Sequence, residues 1–179
     1  LYAWDGLIDE VRIYDHSLSQ GEIDALVAAG PVASLTTSTT SIAENGGMVS
    51  VIATLDATAS ATVNVVVGFT GTANDPADYT KSGSTISITS GSTSGSISVT
   101  ALNDSTYEGT ETVTASITSV SGGEAASSTN SVSSFTITDD EAQPTGTLQV
   151  SPSTIAENLG AAVVTAVLSH LSVEVVTVN

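Results

Sequence analysis

Apolar and polar residues alternate along most of the chain, in short runs separated by clusters of glycine, serine, asparagine and aspartate. The alternation is clearest in residues 48–55 and 62–69. A period of two predicts pleated strands with one buried face, and the small polar clusters predict turns. Further runs complete a set of seven predicted strands, in residues 34–40, 84–89, 96–102, 112–120 and 131–138.

Seven short alternating strands within residues 32–143 predict an all-β fold, specifically an immunoglobulin-like Greek-key β-sandwich. The chain contains no cysteine, so no disulfide can stabilise that sandwich. Phe69 and Phe135 are the only phenylalanines, and we therefore expect a core that is mostly aliphatic.

A short strand-helix segment is predicted before the sandwich. Residues 6–14 alternate as a strand, and Ser19 stands three residues before Glu22, which is the spacing of a helix capping box. Gly30-Pro31 would end the helix. The chain begins at Leu1 with strand-like sequence, and we expect it to be a piece of a longer protein.

One phrase occurs twice. Ile42-Ala43-Glu44-Asn45 returns as Ile155-Ala156-Glu157-Asn158, 113 residues later, and the same offset aligns Leu35 with Leu148. A match held in register predicts a domain-sized internal repeat. Residues 144–179 would then be the first strands of a second, truncated repeat, with an open apolar edge.

The charge balance narrows the classes of partner. Two basic residues stand against nineteen acidic ones, for a formal net charge of −17. This balance argues against nucleic acid or an anionic membrane surface as partner and favours cations or basic surfaces. No apolar run reaches the roughly 18 residues that a membrane helix needs, so no membrane insertion is predicted.

Acidic residues of the sandwich concentrate in its predicted connections. They occur in the first turn, in the third and fifth loops and after the last strand, and alternate connections of a sandwich emerge at the same end. Carboxylates converging there repel one another unless a cation lies among them. Oxygen ligands on loops suit Ca²⁺, and residues 32–143 contain no cysteine or histidine for zinc or copper.

Four segments, residues 42–46, 71–79, 103–111 and 135–141, resemble the motifs of a Calx-β domain in order and spacing. Members of that family occur in sodium/calcium exchangers, in an integrin subunit and in tandem arrays on large bacterial surface proteins. The resemblance implies calcium ligands at Glu44, Asp78, Asn103, Asp104, Glu108, Glu111, Asp139, Asp140 and Glu141, with the main-chain carbonyl of Thr106 as a further ligand.

Two positions depart from the pattern of the family. Asn103 stands where the strongest calcium binders have aspartate, and Ser105 interrupts a run that is often acidic. Fewer charges imply about one or two ions, with dissociation constants on the order of 10⁻⁴ to 10⁻³ M as in extracellular modules.

Residues 4–15, followed by Leu18-Ser19 and Glu22-Ile23, resemble the end of a laminin-G-like (concanavalin-A-like) jelly-roll domain. We therefore assign residues 1–31 to such a domain, residues 32–143 to a complete Calx-β repeat and residues 144–179 to a truncated one. The rest of the laminin-G-like domain would contact a glycan or protein ligand.

Other interpretations of the acidic residues stay open. Calx-β copies in bacterial arrays often keep the sandwich while their loops lose calcium binding. Glu44 would then cap backbone amides, and Asp139-Asp140 would be a solvated linker. Asp75, Asp56 and Glu124 are interpreted as ordinary surface residues.

No catalytic site is predicted. His16 and His170 are isolated in different units, and the complete repeat has no histidine for a Ser-His-Asp arrangement. The expected function is a non-enzymatic, calcium-binding module of an extracellular bacterial surface or adhesion protein, secreted or at the cell surface. Calcium would stiffen the junction between neighbouring repeats.

Two alternatives belong to other classes. One is a subunit of a homo-oligomer or filament, assembled by strand donation between incomplete sandwiches. The other is an accessory module of an enzyme whose catalytic domain lies outside this segment.

Overall fold

The computed structural model describes residues 13–20, 30–123, 127–128 and 131–178. These residues contain twelve β-strands: β1 Val32–Thr37, β2 Ser41–Ala43, β3 Met48–Leu55, β4 Val63–Gly71, β5 Tyr79–Lys81, β6 Thr85–Ile88, β7 Ser94–Ala101, β8 Glu111–Gly122, β9 Ser127–Ser128, β10 Val132–Thr138, β11 Gly146–Ser151 and β12 Val163–Leu168. No helix in the described part of the chain is long and apolar enough to cross a membrane.

Strands β1 to β10 form a sandwich of two five-stranded sheets. One sheet has the order β5-β7-β3-β1-β9, and the other has the order β2-β10-β8-β4-β6. The alternating residues of both sheets meet in one core, in which Phe135 and Tyr79 are the only aromatic side chains among the buried hydrophobic residues described. The prediction of an all-β, immunoglobulin-like sandwich is confirmed, and the core is mostly aliphatic as expected.

The first predicted strand, residues 34–40, is divided between the two sheets. Strand β1 pairs with β3 up to Ser38, which exchanges main-chain and hydroxyl hydrogen bonds with Ser50. Two residues later the carbonyl of Thr40 accepts from the amide of Thr136, and the chain continues as β2 beside β10. The Ser38 hydroxyl takes the place of a main-chain acceptor, and the pairing with β3 ends there. The sequence of residues 34–40 alternates without interruption, so it does not reveal that the chain passes from one sheet to the other.

Three strands were not predicted, and they are only two or three residues long: β2, β5 and β9. Runs of this length carry no measurable period of two, and only their pairing with distant strands makes them part of a sheet.

The last two residues of the predicted N-terminal strand are not in a strand in the structure. Ile13 and Tyr14 lie outside any strand, no described segment pairs with them, and the side chain of Ile13 is 93% exposed. Gln20 is helical and directly follows Ser19, the predicted cap. The remainder of this predicted strand and helix lies in residues 6–12 and 21–29, outside the described residues.

The second copy of the repeated phrase lies in a hairpin that reproduces the pairing of the first copy. Gly146 pairs with Leu168 in β11–β12, as Ala33 pairs with Leu55 in β1–β3. Each residue of the second pair lies 113 residues after its counterpart in the first. No second sheet among the described residues covers the hairpin, so the positions that are buried in the sandwich are exposed here. Leu35 is 5% exposed, whereas its counterpart Leu148 is 60% exposed.

The turn between β2 and β3 leaves no room for a side chain at Gly47, so we expect a substitution there to destabilise the fold. A Cβ atom at this position would clash with the carbonyl oxygen of Ala43 and lie 2.7 Å from its nitrogen. Because both atoms belong to the main chain, Gly47→Ala should reduce the free energy of unfolding by about 1–3 kcal/mol. Urea denaturation measures this change.

Gly83→Ala is the matched control, because a Cβ atom at Gly83 meets no atom within 4 Å. It should change the free energy of unfolding by no more than ~0.5 kcal/mol. Equal effects of the two substitutions would contradict the assigned turn geometry.

Candidate metal centre

Four connections meet at one end of the sandwich. They are the turn after β2, the loop from β4 to β5, the segment between β7 and β8, and the residues that follow β10. We call the carboxylates of these connections, together with that of Glu111 at the start of β8, the acidic pole: Glu44, Asp78, Asp104, Glu108, Glu111, Asp139, Asp140 and Glu141. The acidic connections thus converge at one end of the sandwich, as the sequence predicts.

Glu44 is fixed by main-chain contacts on both sides. Its amide donates to the carbonyl of Thr138 at 2.9 Å, which extends the parallel pairing of β2 with β10. Its Oε1 accepts from the amide of Asp104 at 3.1 Å, and the residue is only 4% exposed. The alternative role of Glu44, the capping of a backbone amide, is therefore present as well.

Asp78 closes its own loop. Its amide donates to the carbonyl of Asn74 at 2.8 Å, while its Oδ2 accepts from the amide of Asn74 at 2.5 Å. The carbonyl of Asp78 accepts from the amide of Leu102 at 2.9 Å, which joins this loop to the segment after β7. Asp78 is 8% exposed, so its carboxylate is buried inside the pole.

Asp139 organises the loop that precedes β8. Its Oδ2 accepts from the amides of Glu108 and Gly109, both at 2.6 Å, and its Oδ1 accepts from the amide of Glu141 at 2.7 Å. Burial favours the neutral form of this carboxyl, but the three amide donors outweigh burial and hold its pKa below the ordinary value. Asp139 is thus a charged anchor for the loop.

The carboxylates form two groups. One consists of Glu44, Asp140 and Glu141, and the other of Asp78, Glu108 and Glu111; within each group, one oxygen of each residue lies within 4.8 Å of the others. These oxygens, brought together from several loops, form the donor set that suits a hard cation such as Ca²⁺. The Oε2 atom of Glu141 is shielded from solvent and has no hydrogen-bond partner among the described residues, so an acceptor there fits a cation.

Burial and, after it, the charges of the pole raise the pKa values of several carboxyls. Burial, followed by the charge of Asp78 and a hydrogen bond to it, raises the pKa of Glu111 to about 7. Burial is also the largest cause that raises the pKa of Glu44, Glu108 and Glu141, with neighbouring carboxylates as further causes. The pole therefore holds more negative charge than its own donors neutralise.

Four predicted ligands lie in neither group of carboxylates: Asn103, Asp104, Thr106 and Asp139. The side-chain amide of Asn103 donates to the carbonyl of Asp104 at 2.8 Å, so this exposed side chain bonds within its own loop. The amide of Thr106 donates to Oδ1 of Asp104 at 2.6 Å. Ligation by the carbonyl of Thr106, as by the other predicted ligands, stays a prediction.

The sequence interpretation missed one contact beside the pole. Asp75, interpreted as an ordinary surface residue, forms an ion pair with Lys81 and is only partly exposed. Lys81 is one of two basic residues in the sequence, and this scarcity was the available signal that its location matters.

Comparison with known proteins agrees with this fold. The Calx-beta domain profile matches residues 28–141. The apo form of the Calx CBD1 domain has a TM-score of 0.52 and 17% identity, over 62% of this chain and 97% of that chain. CBD12 from CALX1.2 has a TM-score of 0.52 and 17% identity, over 61% of this chain and 45% of that chain. The calcium-binding domain CBD12 of CALX1.1 has a TM-score of 0.50 and 14% identity, over 74% of this chain and 69% of that chain. No curated relative matches the chain.

The fold and the site define a class, an immunoglobulin-like sandwich with an acidic pole. The family match covers more than half of the 179 residues and includes all four segments that form the pole. The chain belongs to the Calx-beta domain family.

The raised pKa values predict how stability depends on pH in the absence of divalent cations. Carboxyls with a raised pKa bind protons more strongly in the folded protein than in the unfolded chain, so the free energy of unfolding should increase as the pH falls from about 8 to about 5. This gain is lost again as the pH rises through about 7, the pKa of Glu111. Urea denaturation with a chelator present, at several pH values, measures the effect.

Glu111→Gln should flatten this dependence above about pH 6, because the strongest titration is removed. At a pH below about 4, protonation of Asp139 should lower stability, because the pKa of that carboxyl is depressed in the folded state. A wild-type stability that increases steadily from pH 5 to pH 8 would contradict the repulsion inferred here.

Proposed function

We propose that the sandwich is a non-enzymatic calcium-binding module and that its acidic pole holds the ion. The observation that supports this most directly is the pair of carboxylate groups, each with three oxygens within 4.8 Å of one another. Glu44 and Asp78 are buried, Glu108, Glu111 and Glu141 are partly buried, and Asp140 is exposed. A structural relative is a calcium-binding domain by name. The resemblance of the four loop segments to Calx-β motifs supports the same assignment.

Calcium fits this donor set better than a transition metal. The groups offer only carboxylate oxygens, and residues 32–143 contain neither cysteine nor histidine. Ca²⁺ accepts several oxygen ligands in flexible geometry, whereas Zn²⁺ and Cu²⁺ favour nitrogen and sulfur.

The residues of the pole have distinct roles in this proposal. Glu44, Asp140 and Glu141 would hold one ion, and Asp78, Glu108 and Glu111 a second or a shared one. Asp139 keeps the loop amides in place, while Asn45 donates from its side-chain amide to Asp140 Oδ2 at 3.2 Å. A bound cation would offset the repulsion between the carboxylates of each group.

The pole also touches the unit that follows the sandwich. The amide of Tyr107 donates to the carbonyl of Leu171 at 3.0 Å, and the amide of Val173 donates to the carbonyl of Tyr107 at 3.2 Å. This parallel bridge ties the loop that carries Asp104 and Glu108 to the second unit. Calcium that orders this loop would therefore stiffen the junction.

The proposed setting is an extracellular bacterial surface or adhesion protein, secreted or at the cell surface. The tandem arrangement predicted from the repeated phrase supports neighbouring repeats as partners, and the register of β11–β12 is that expected for a second copy. The laminin-G-like resemblance of residues 1–31 supports a glycan or protein ligand for a preceding domain.

Calcium titration tests the module. Calcium should bind with a dissociation constant on the order of 10⁻⁴ to 10⁻³ M, and about 10 mM calcium should stabilise the fold by about 1–3 kcal/mol. Glu44→Gln should weaken binding, because it removes a charge from one carboxylate group. Calorimetry and thermal unfolding measure the two quantities.

Glu157→Gln is the matched control, since Glu157 occupies the same position of the repeated phrase but is exposed. It should leave calcium affinity unchanged. No heat of binding and no rise in melting temperature in the wild-type protein would overturn the proposed function.

The junction proposal predicts a local effect of calcium. The amides of Tyr107 and Val173 should exchange with deuterium more slowly when calcium is present, because the loop that pairs with the second unit becomes ordered. The amide of Ser169, which donates to the carbonyl of Thr145 within the second unit, serves as the internal control. Equal protection of Tyr107 with and without calcium would show that the ion does not act on the junction.

A second candidate, a filament subunit, is favoured by the exposed apolar positions of the hairpin. Val164 is 60% exposed where its counterpart Val51 is fully buried, and Val176 is 39% exposed where Val63 is fully buried. Strands of another chain could cover these positions. Light scattering separates the candidates, because a strand-exchanged assembly grows with protein concentration and a monomeric module does not.

A further inference from the structure

Lys81 lies beside the loop that carries Asp78, and among the described residues it is the only lysine or arginine. Its ammonium pairs with Oδ2 of Asp75, and only 24% of the Lys81 side chain and 32% of the Asp75 side chain are exposed. The ammonium also lies 5.6 Å from the ring centroid of Phe69 and 5.9 Å from that of Tyr79. A carboxylate and two aromatic faces therefore hold one cation.

These contacts join three elements of the fold. Phe69 belongs to β4, Tyr79 and Lys81 belong to β5, and Asp75 lies in the loop between these strands. The two rings are 6.4 Å apart, and Tyr79 is 3% exposed, so the aromatic side of the contact is anchored in the core. The ion pair fixes the middle of the loop to this anchor.

The same loop ends at Asp78. Two residues lie between Asp75 and Asp78, and the loop is closed by the two hydrogen bonds between Asn74 and Asp78. Asp78 has a carboxylate oxygen within 4.8 Å of oxygens of Glu108 and Glu111. When these groups are ionised, their like charges repel Asp78, and a restraint on the far side of the loop then helps to keep its carboxylate in the group.

We propose that Lys81 is a positioning residue for the acidic pole: by holding Asp75, it keeps the loop of residues 72–78 in the conformation that directs Asp78 toward Glu108 and Glu111. This inference rests on the proposed calcium function for its effect on affinity. Its effect on the loop does not depend on calcium.

Two substitutions break the ion pair with opposite changes in net charge. Lys81→Met keeps an apolar stem and makes the chain more negative, whereas Asp75→Asn makes it less negative. If Lys81 acted only through its charge, Lys81→Met would tighten calcium binding, because one repelling cation is removed. A positioning role predicts that both variants weaken calcium binding by about threefold to tenfold, in the range of a partly shielded ion pair with cation–π contacts.

The first readout is amide exchange without calcium. In both variants, the amide of Asp78, which donates to the carbonyl of Asn74, should exchange about threefold to tenfold faster than in the wild type. The amide of Glu44, which donates to Thr138 across the pole, should be unchanged. Lys81→Arg should restore both slow exchange and calcium affinity, because it keeps the charge and the aromatic contacts.

Unchanged exchange at Asp78 in both variants would overturn the proposal, as would tighter calcium binding by Lys81→Met. If Lys81→Met does not fold, Asp75→Asn compared with the wild type decides the question alone. Absence of calcium binding in the wild type would defeat the proposed function instead, and amide exchange would still decide whether Lys81 holds the loop.

Discussion

Repulsion among carboxylates at one end of the sandwich is the constraint around which the loops are built. Seven acidic side chains lie on four connections and an eighth, Glu111, begins β8; the strands that the core fixes bring them together. Main-chain donors offset part of the repulsion: three amides bind Asp139, and one binds Glu44. Burial and the neighbouring carboxylates together raise the pKa of several of these groups, above all that of Glu111. The proposed cation would neutralise charge that these amides leave uncompensated.

Contacts outside the two carboxylate groups support the pole from opposite sides. On one side the loop of Asp78 is tied to Lys81 through Asp75, and on the other the loop of Glu108 is tied to the second unit through Tyr107. The pole is therefore connected both to the core of its own sandwich and to the next unit. Both sets of contacts involve loops that carry carboxylates of the pole.

The repeated phrase separates local from tertiary effects within one molecule. The turn has the same conformation in both copies, with a positive φ of 89° at Gly46 and of 68° at Leu159. Gly47 and Gly160 both approach the main chain of the alanine four residues earlier. Burial, however, differs completely, since Glu44 is almost inaccessible and Glu157 is exposed. The two copies make the same turn even though Leu159 replaces Gly46, but among the described residues only the first copy has loops that surround its glutamate.

Sequence patterns alone predict the strands with a clear period of two, the aliphatic core and the placement of acidic residues in connections. These features depend on neighbours along the chain, which the sequence displays. The folded structure was needed to show that the first strand crosses between sheets at Ser38–Thr40, that Asn103 bonds within its own loop, and that the carboxylates divide into two groups. It also decided the pairing of Lys81 with Asp75 across the edge of the sheet. Packing and hydrogen bonding in three dimensions decide these contacts, both between distant strands and within single loops, and no local pattern encodes which partner each residue meets.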